Sequence, residues 1–298
     1  MDRSLFSDEF LKKLDKLVFI SKKIPKSSLQ GVQRTYKKGS SLEFNDYRSY
    51  NSGDDIRGID WNVWERLGQL YLKLYSAHLD RTISIIIDTS KSMSTGRFSK
   101  LTFAKKTAAA LGYIGLKNQD RVGVFAINKT IIDYMKPVGG NNQVISLFNF
   151  LSTLEASGKT DLSAVLKSYS TRSQKNSIAI IISDFLDNKG FKEGLYNLLY
   201  KKLDVIVLHI LSDEDLNPDF SGPVRLKDIE TGDTLDLTFN NEVLGSYRKS
   251  SSLYFKKIEK FCLEKRIEYI RISSSTPFED LILKYMRQSS GILLGGIN

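Results

Sequence analysis

Four short runs of apolar, mostly β-branched residues constrain the fold more than anything else in this chain: TISIIID (82–88), RVGVFAI (121–127), SIAIIIS (177–183) and DVIVLHIL (204–211). None keeps the polar–apolar alternation of a strand with one wet face, so each reads as a strand buried on both faces. Segments of helical period lie between them. Ser99 to Asn118 sets Leu101, Ala104, Ala108, Leu111 and Ile114 on one face, and further helices are predicted over Asn142–Leu154, from Asp161, and near 189–202. Strand–helix repetition of this kind predicts an α/β fold, a doubly wound, mostly parallel sheet flanked by helices of Rossmann type.

Smaller features decorate that plan. Ile131 to Lys136, joined to the preceding strand through Asn128 and Lys129, predicts an antiparallel edge strand. Val224 to Thr238 alternates around Glu230-Thr231-Gly232-Asp233 and reads as a β-hairpin insertion, around 220–240, that extends one edge of the sheet. A helix of about 240–265, a strand at Glu268–Ile272 and a helix at Phe278–Arg287 close the chain. The expected domain is therefore 81–298.

Residues 1–80 lack this rhythm and form an expected N-terminal accessory region. Phe6, Phe10, Leu14 and Leu17 fall on one face of an amphipathic first helix, and Ser21 to Ser28 is a basic linker containing Pro25. Gln33 to Lys73 is dense in aromatics and charge. It holds both tryptophans, Trp61 and Trp64, and reads as loops and short strands, with a turn at Asn51-Ser52-Gly53-Asp54 and a strand at Leu70–Tyr75. Asp54, Asp55 and Asp60 lie in a turn and its flank, where caps and ion pairs to Arg57 and Arg66 are expected in place of a metal cluster.

Composition bounds the setting. No apolar stretch approaches the ~20 residues that span a bilayer, so the chain is not expected to be membrane-embedded. Its start mixes acids and lysines through the apolar positions, unlike a signal peptide. Cys262 is the single cysteine, which excludes an internal disulfide and suits a reducing compartment. A cytoplasmic location is expected. The formal charge of +10 is concentrated in residues 81–190, with 15 Lys/Arg against 7 Asp/Glu. The lysines are scattered along helices, as on a solvated surface, so no nucleic acid is expected as partner.

Chemistry gathers where the first buried strand ends. Asp88, Ser90 and Ser92 stand at alternate positions on a turn that can aim three oxygens at one point, and open α/β sheets place ligands beyond their carboxyl ends. Hard cations such as Mg²⁺ take ligands of this type but want near-octahedral coordination. Thr160, in SGKTDL before a helix, and Asp184, after strand 177–183, are the candidates to add. The bland reading of the same residues is a helix cap and turn formers. Asp187 is expected to cap the following helix, while Lys91 and Lys159 sit beside the motif, where they can meet an acidic group.

Asp88-x-Ser90-x-Ser92 with Thr160 and Asp184 resembles the metal-ion-dependent adhesion site of von Willebrand factor A domains. That resemblance covers roughly residues 80–290. It implies hydroxyl and carboxylate ligation of Mg²⁺ or Mn²⁺, with one position left open for a partner's carboxylate. EFNDYRSYNSGDDIRGIDWNVWER, followed by DTSKSM and SDFLD, is further similar to the von Willebrand A-like proteins of domain-of-unknown-function family 58, often encoded beside MoxR-type AAA+ ATPases. This implies an adaptor or chaperone-like protein, not an enzyme, that joins such an ATPase to a client protein. It implies service in the maturation of membrane or periplasmic complexes.

Two rival functions frame that expectation. A Mg²⁺-dependent hydrolase of phosphate esters would want a second metal or a base beside the motif. The two histidines, His78 and His209, do not belong to the set, and His209 lies within an apolar strand. Gly158-Lys159-Thr160 imitates the end of a phosphate-binding loop, but Thr153 stands where its first glycine belongs, and no G-x-S-x-G elbow exists. A basic nucleic-acid-binding protein rests on net charge alone.

Overall fold

The computed structural model describes residues 17–19, 42–77, 81–174, 177–187, 189–218, 222–229, 232–239, 241–277, 280–281 and 293–295. The predicted first helix as far as Leu14, the basic linker, His78 and nearly all of the predicted last helix lie outside these residues; Leu17, expected on the face of that helix, begins a strand instead, where backbone pairing overrides the helical period. The chain divides into two compact units, residues 22–80 and residues 1–21 with 81–298. In the larger unit, β1 (Leu17–Phe19) pairs antiparallel with Leu293–Gly295.

The unit of residues 22–80 is a two-stranded antiparallel sheet with a helix between its strands: β2 (Leu42–Ser49), α1 (Trp61–Leu67) and β3 (Tyr71–Ala77). The seven-residue helix is an addition to the loops and strands expected there. Its cause is local. Asp60 caps it by accepting from Asn62 N, Gly68 ends it at φ +65°, and Tyr47 Oη donates to Asp60 at 2.8 Å. Asp55 caps a 3₁₀ turn at Ile56–Gly58 by accepting from Arg57 N. The predicted caps are thus present, but Asp54 pairs with Arg48 at 2.8 Å in place of Arg57 or Arg66. Tyr47 and Arg48 come from β2, so the turn and helix are tied to the strand that precedes them. Trp61 and Trp64 meet edge to face and stay half-exposed.

In the larger unit the elements follow the predicted order closely. They are β4 (Thr82–Asp88), α2 (Lys100–Lys117), β5 (Arg121–Ile127), β6 (Ile131–Val138), α3 (Val144–Thr153) and α4 (Leu162–Arg172). Then come β7 (Ile178–Ser183), α5 (Lys192–Tyr200), β8 (Asp204–Leu211) and the short α6 (Asp213–Leu216). The chain goes on through β9 (Gly222–Lys227), β10 (Thr234–Phe239), α7 (Asn241–Glu264), β11 (Glu268–Ser273) and β12 (Leu293–Gly295). Six strands form the central sheet in the order β11-β8-β7-β4-β5-β6, all parallel except the edge strand β6. Pro137 is tolerated in β6 because an edge strand need not donate on both sides.

Both faces of the sheet are covered, as the apolar runs require. Ile83, Ile85 and Ile87 of β4 join Ala104, Ala108 and Leu111 of α2 on one face. Ile86 joins Leu166 of α4, Leu195 of α5 and Ile258 of α7 on the other. The period of two sends successive residues to opposite cores, so every residue of β4 is buried. Burying each such isoleucine is worth roughly 2–3 kcal/mol. Among the described residues no helix is long and apolar enough to cross a membrane.

The hairpin departs from expectation. β9 and β10 pair with each other as a separate two-stranded sheet and do not extend the central one. Arg225 and Asp236 form an exposed ion pair across it, and alternation alone does not name the edge that a hairpin joins.

The strand order locates a crevice. From β4 the chain turns into α2 on one face and moves outward to β5; from β7 it turns into α5 on the other face and moves outward to β8. Two neighbouring strands whose continuations leave in opposite directions open a gap at their carboxyl ends. Asp88 and Asp184 stand there.

Candidate metal centre

Asp88 ends β4 fully buried. Its Oδ1 accepts from Ser90 N at 2.9 Å, the Asx turn that an aspartate at a strand end favours. The following loop is stitched down on both sides. Thr89 N donates to Ile127 O at 2.7 Å, Ser157 N to Thr89 O at 2.7 Å, and Lys91 N to Gly158 O at 3.1 Å. These bonds carry the loop before α4 onto the end of β4. Gly158 is required in it: at φ +73° a side chain is strained, and a Cβ would stand 2.7 Å from Asn128 Nδ2.

Four predicted residues therefore meet. Thr160 Oγ1 donates to Asp88 Oδ1 at 3.4 Å, and Ser90 Oγ and Ser92 Oγ lie 3.0 Å apart. A 3₁₀ turn over Lys91–Ser94 keeps Ser92 on the same side as Ser90. Ser183, which sequence reasoning missed, donates to Asp88 Oδ2 at 2.7 Å. Burial first, and then the negative charge of Asp184, push the Asp88 carboxyl up to about 6, against the hydrogen bonds from Ser183 and Ser90.

Asp184 stands beside this group but is otherwise engaged. Its Oδ1 accepts from Leu186 N at 3.1 Å and its Oδ2 from Lys100 Nζ at 2.7 Å. Lys100, fully buried at the start of α2, also donates to Asp215 Oδ2 at 2.9 Å. Burial works against its charge, but the two carboxylates outweigh that and hold its pKa above the ordinary lysine value. Nothing local in the sequence separates Lys100 from the other lysines of the chain.

The backbone after β7 is held as firmly. His209 Nε2 bonds Asp184 O at 2.8 Å and its Nδ1 bonds Tyr269 Oη at 2.8 Å. Burial lowers the imidazole pKa to about 4, so at neutral pH it is an uncharged core group, the role expected of it. Phe185 adopts φ +53°, a left-handed conformation costly for a bulky residue. Phe185 N donates to Ser183 Oγ, Tyr254 Oη donates to Phe185 O, and the ring packs on Phe191 and His209. Asp187 accepts from Leu162 N at 2.7 Å and from Lys189 N. It therefore satisfies the first amide of α4, whose N-cap is Asp161, and does not cap the following helix.

The donor set fits a hard divalent cation. Asp88, Ser90, Ser92 and Thr160 offer carboxylate and hydroxyl oxygens, the ligands Mg²⁺ and Mn²⁺ take. Among the described residues no group of three or more His, Cys, Asp or Glu side chains could hold a metal ion, so hydroxyls would have to supply most of the protein ligands. A desolvated carboxylate facing a second negative charge is also what a cation relieves. Ser92 and Thr160 are partly exposed, which leaves the group open to solvent on one side. Next to it, a cleft of about 710 Å³ is lined by Asp161, Asp187, Lys189, Tyr254 and Lys257 among others.

Uncharacterized proteins of Mycobacterium bovis and Mycobacterium tuberculosis are each 21% identical over 221 residues, 72% of this chain and 69% of theirs. Among solved structures, the conserved hypothetical protein BatB from Bacteroides thetaiotaomicron is similar over 70% of this chain and 98% of its own, with 16% identity and a TM-score of 0.43. An aerotolerance-related membrane protein from Bacteroides fragilis is similar over the same shares, with 18% identity and a TM-score of 0.44. The family model described as "Protein of unknown function DUF58" matches residues 46–252, well over half of the length, and the chain belongs to that family.

Proposed function

We propose that this chain is a metal-dependent protein–protein interaction module of von Willebrand A-like type. In this reading it is an adaptor or chaperone-like partner of a MoxR-type AAA+ ATPase and engages an acidic side chain of its partner or client. The observation that carries the reading is the meeting of Asp88, Ser90, Ser92 and Thr160 at the crevice between β4 and β7.

Bound there, Mg²⁺ or Mn²⁺ supplies the positive charge that draws a carboxylate to a face of hydroxyl groups. Asp88 offers the anionic oxygen, and Ser90, Ser92 and Thr160 offer neutral ones. Ser183 and the amide of Ser90 orient Asp88 by donating to its two oxygens. Exposed Lys91 and half-buried Lys159 flank the group, where positive charge speeds encounter with an acidic partner. His209, buried and bonded at both ring nitrogens, has no free nitrogen with which to activate water.

A pull-down with a MoxR-type ATPase tests the reading. Capture is expected with Mg²⁺ and is expected to be lost with chelator and in Asp88→Ala. Capture that survives both sinks the metal bridge, and turnover of phosphate esters by the purified chain replaces it with an enzyme.

A further inference from the structure

We propose that Lys100 sets the number of carboxylates available to a cation at this centre, by holding Asp184 out of direct contact with it. The inference rests on the metal reading above and concerns how that site is built. Two carboxylates end neighbouring strands at one crevice, yet only Asp88 bonds to the hydroxyl group of residues. Both oxygens of Asp184 are committed, Oδ1 to Leu186 N and Oδ2 to the Lys100 ammonium.

Lys100 cannot swing away. Its side chain is fully buried at the first turn of α2, and Asp215 holds the ammonium from the far side. Asp215 is itself fixed, closing a capping box with Ser212 at the start of α6. Near Lys100 the chain is strapped to the same turn. Arg97 N donates to Glu214 Oε1, and Gly96, at φ +91°, packs where a Cβ would stand 2.7 Å from Ser212 Cβ. A buried ammonium between two carboxylates loses much more from breaking one contact than a surface ion pair does. A cation at Asp88 therefore meets one protein carboxylate and several hydroxyls. So lean a shell binds metal weakly by itself and favours an anionic ligand from outside, since affinity for hard cations rises with the number of charged ligands.

Metal binding to the full chain tests this without any partner. Free Mn²⁺ is followed by electron paramagnetic resonance, and bound-water number by water-proton relaxation. Lys100→Met frees Asp184 Oδ2, so Mn²⁺ is expected to bind about tenfold more tightly, with about one fewer exchanging water. A lysine with a merely structural role predicts the opposite, weaker binding. Should Lys100→Met fail to fold by circular dichroism, Asp184→Asn decides: a carboxylate that Lys100 holds off the cation leaves the number of exchanging waters on Mn²⁺ unchanged when its charge is removed. Unchanged or weaker binding in Lys100→Met, or one more exchanging water in Asp184→Asn, overturns the role of Lys100 while the metal reading stands. If the wild-type chain shows no saturable Mn²⁺ binding, both fall.

Discussion

Ser183 Oγ donates to Asp88 Oδ2 across 2.7 Å, joining the last residues of two neighbouring parallel strands inside the fold. The bond orients a carboxylate that burial and Asp184 both disfavour as an anion.

Asp88 should show itself in the pH dependence of stability. Folding raises its carboxyl from 3.8 to about 6. Between those values the native state keeps a proton that the unfolded chain has lost, so the Asp88 contribution is complete below about pH 4 and disappears as pH rises through 6. Asp88→Asn removes that loss. In chelator, the stability of the variant relative to wild type is expected to climb from pH 4 to 6 by at most about 3 kcal/mol and then level off. Urea unfolding across that range measures it, and a flat or falling difference rejects the assignment.

His209 should act with the opposite sign. Its pKa falls from 6.5 to about 4 on folding, so its contribution is complete above 6.5 and lost as pH falls toward 4. His209→Phe leaves the carbonyl of Asp184 and the hydroxyl of Tyr269 without their partner, at a cost of roughly 2–4 kcal/mol at neutral pH. That deficit should shrink as the buffer is made more acidic. Unfolding curves of the two proteins at pH 7 and pH 5 give the comparison; equal deficits would contradict it.

Gly194 of α5 packs directly against α4. A Cβ there would stand 3.0 Å from Leu166 Cβ and from Ser163 Cα, and 3.1 Å from Leu162 O. Because two of these three atoms are backbone, the helices must separate to admit it. Gly194→Ala is expected to destabilise the fold by about 1–3 kcal/mol, despite the gain in helix propensity. A rise in Tm would show that the helices give way freely.

Asp60 should matter to the stability of the smaller unit. It caps α1 and accepts from Tyr47 Oη. Asp60→Ala is expected to cost about 1–2 kcal/mol and to leave Mn²⁺ affinity unchanged. Loss of metal binding in this variant would give residues 22–80 a role beyond holding their own helix.

The strands and helices were legible because their signals are local. Apolar runs without alternation announce burial on both faces, and β4, β5, β7 and β8 lie within a residue of where those runs predict them. The edge strand β6 was equally readable from a two-residue gap. Strand-end placement also made Asp88, Ser90, Ser92 and Thr160 legible as a group. The hairpin was found but misplaced, since alternation identifies a strand without naming the edge it joins.

Side-chain partners across the fold were decided only by tertiary structure. Asp184 and Lys100 are 84 residues apart, and Ser183 reaches Asp88 over 95. In sequence one lysine resembles another; which of them arrives buried, with its ammonium at a given carboxylate, depends on how α2 packs on the face of the sheet. The sequence by itself determined a doubly wound sheet with an oxygen-rich crevice at Asp88. Packing decided that Asp184 faces a lysine there, because a buried charge takes the partner that the assembled elements bring within reach.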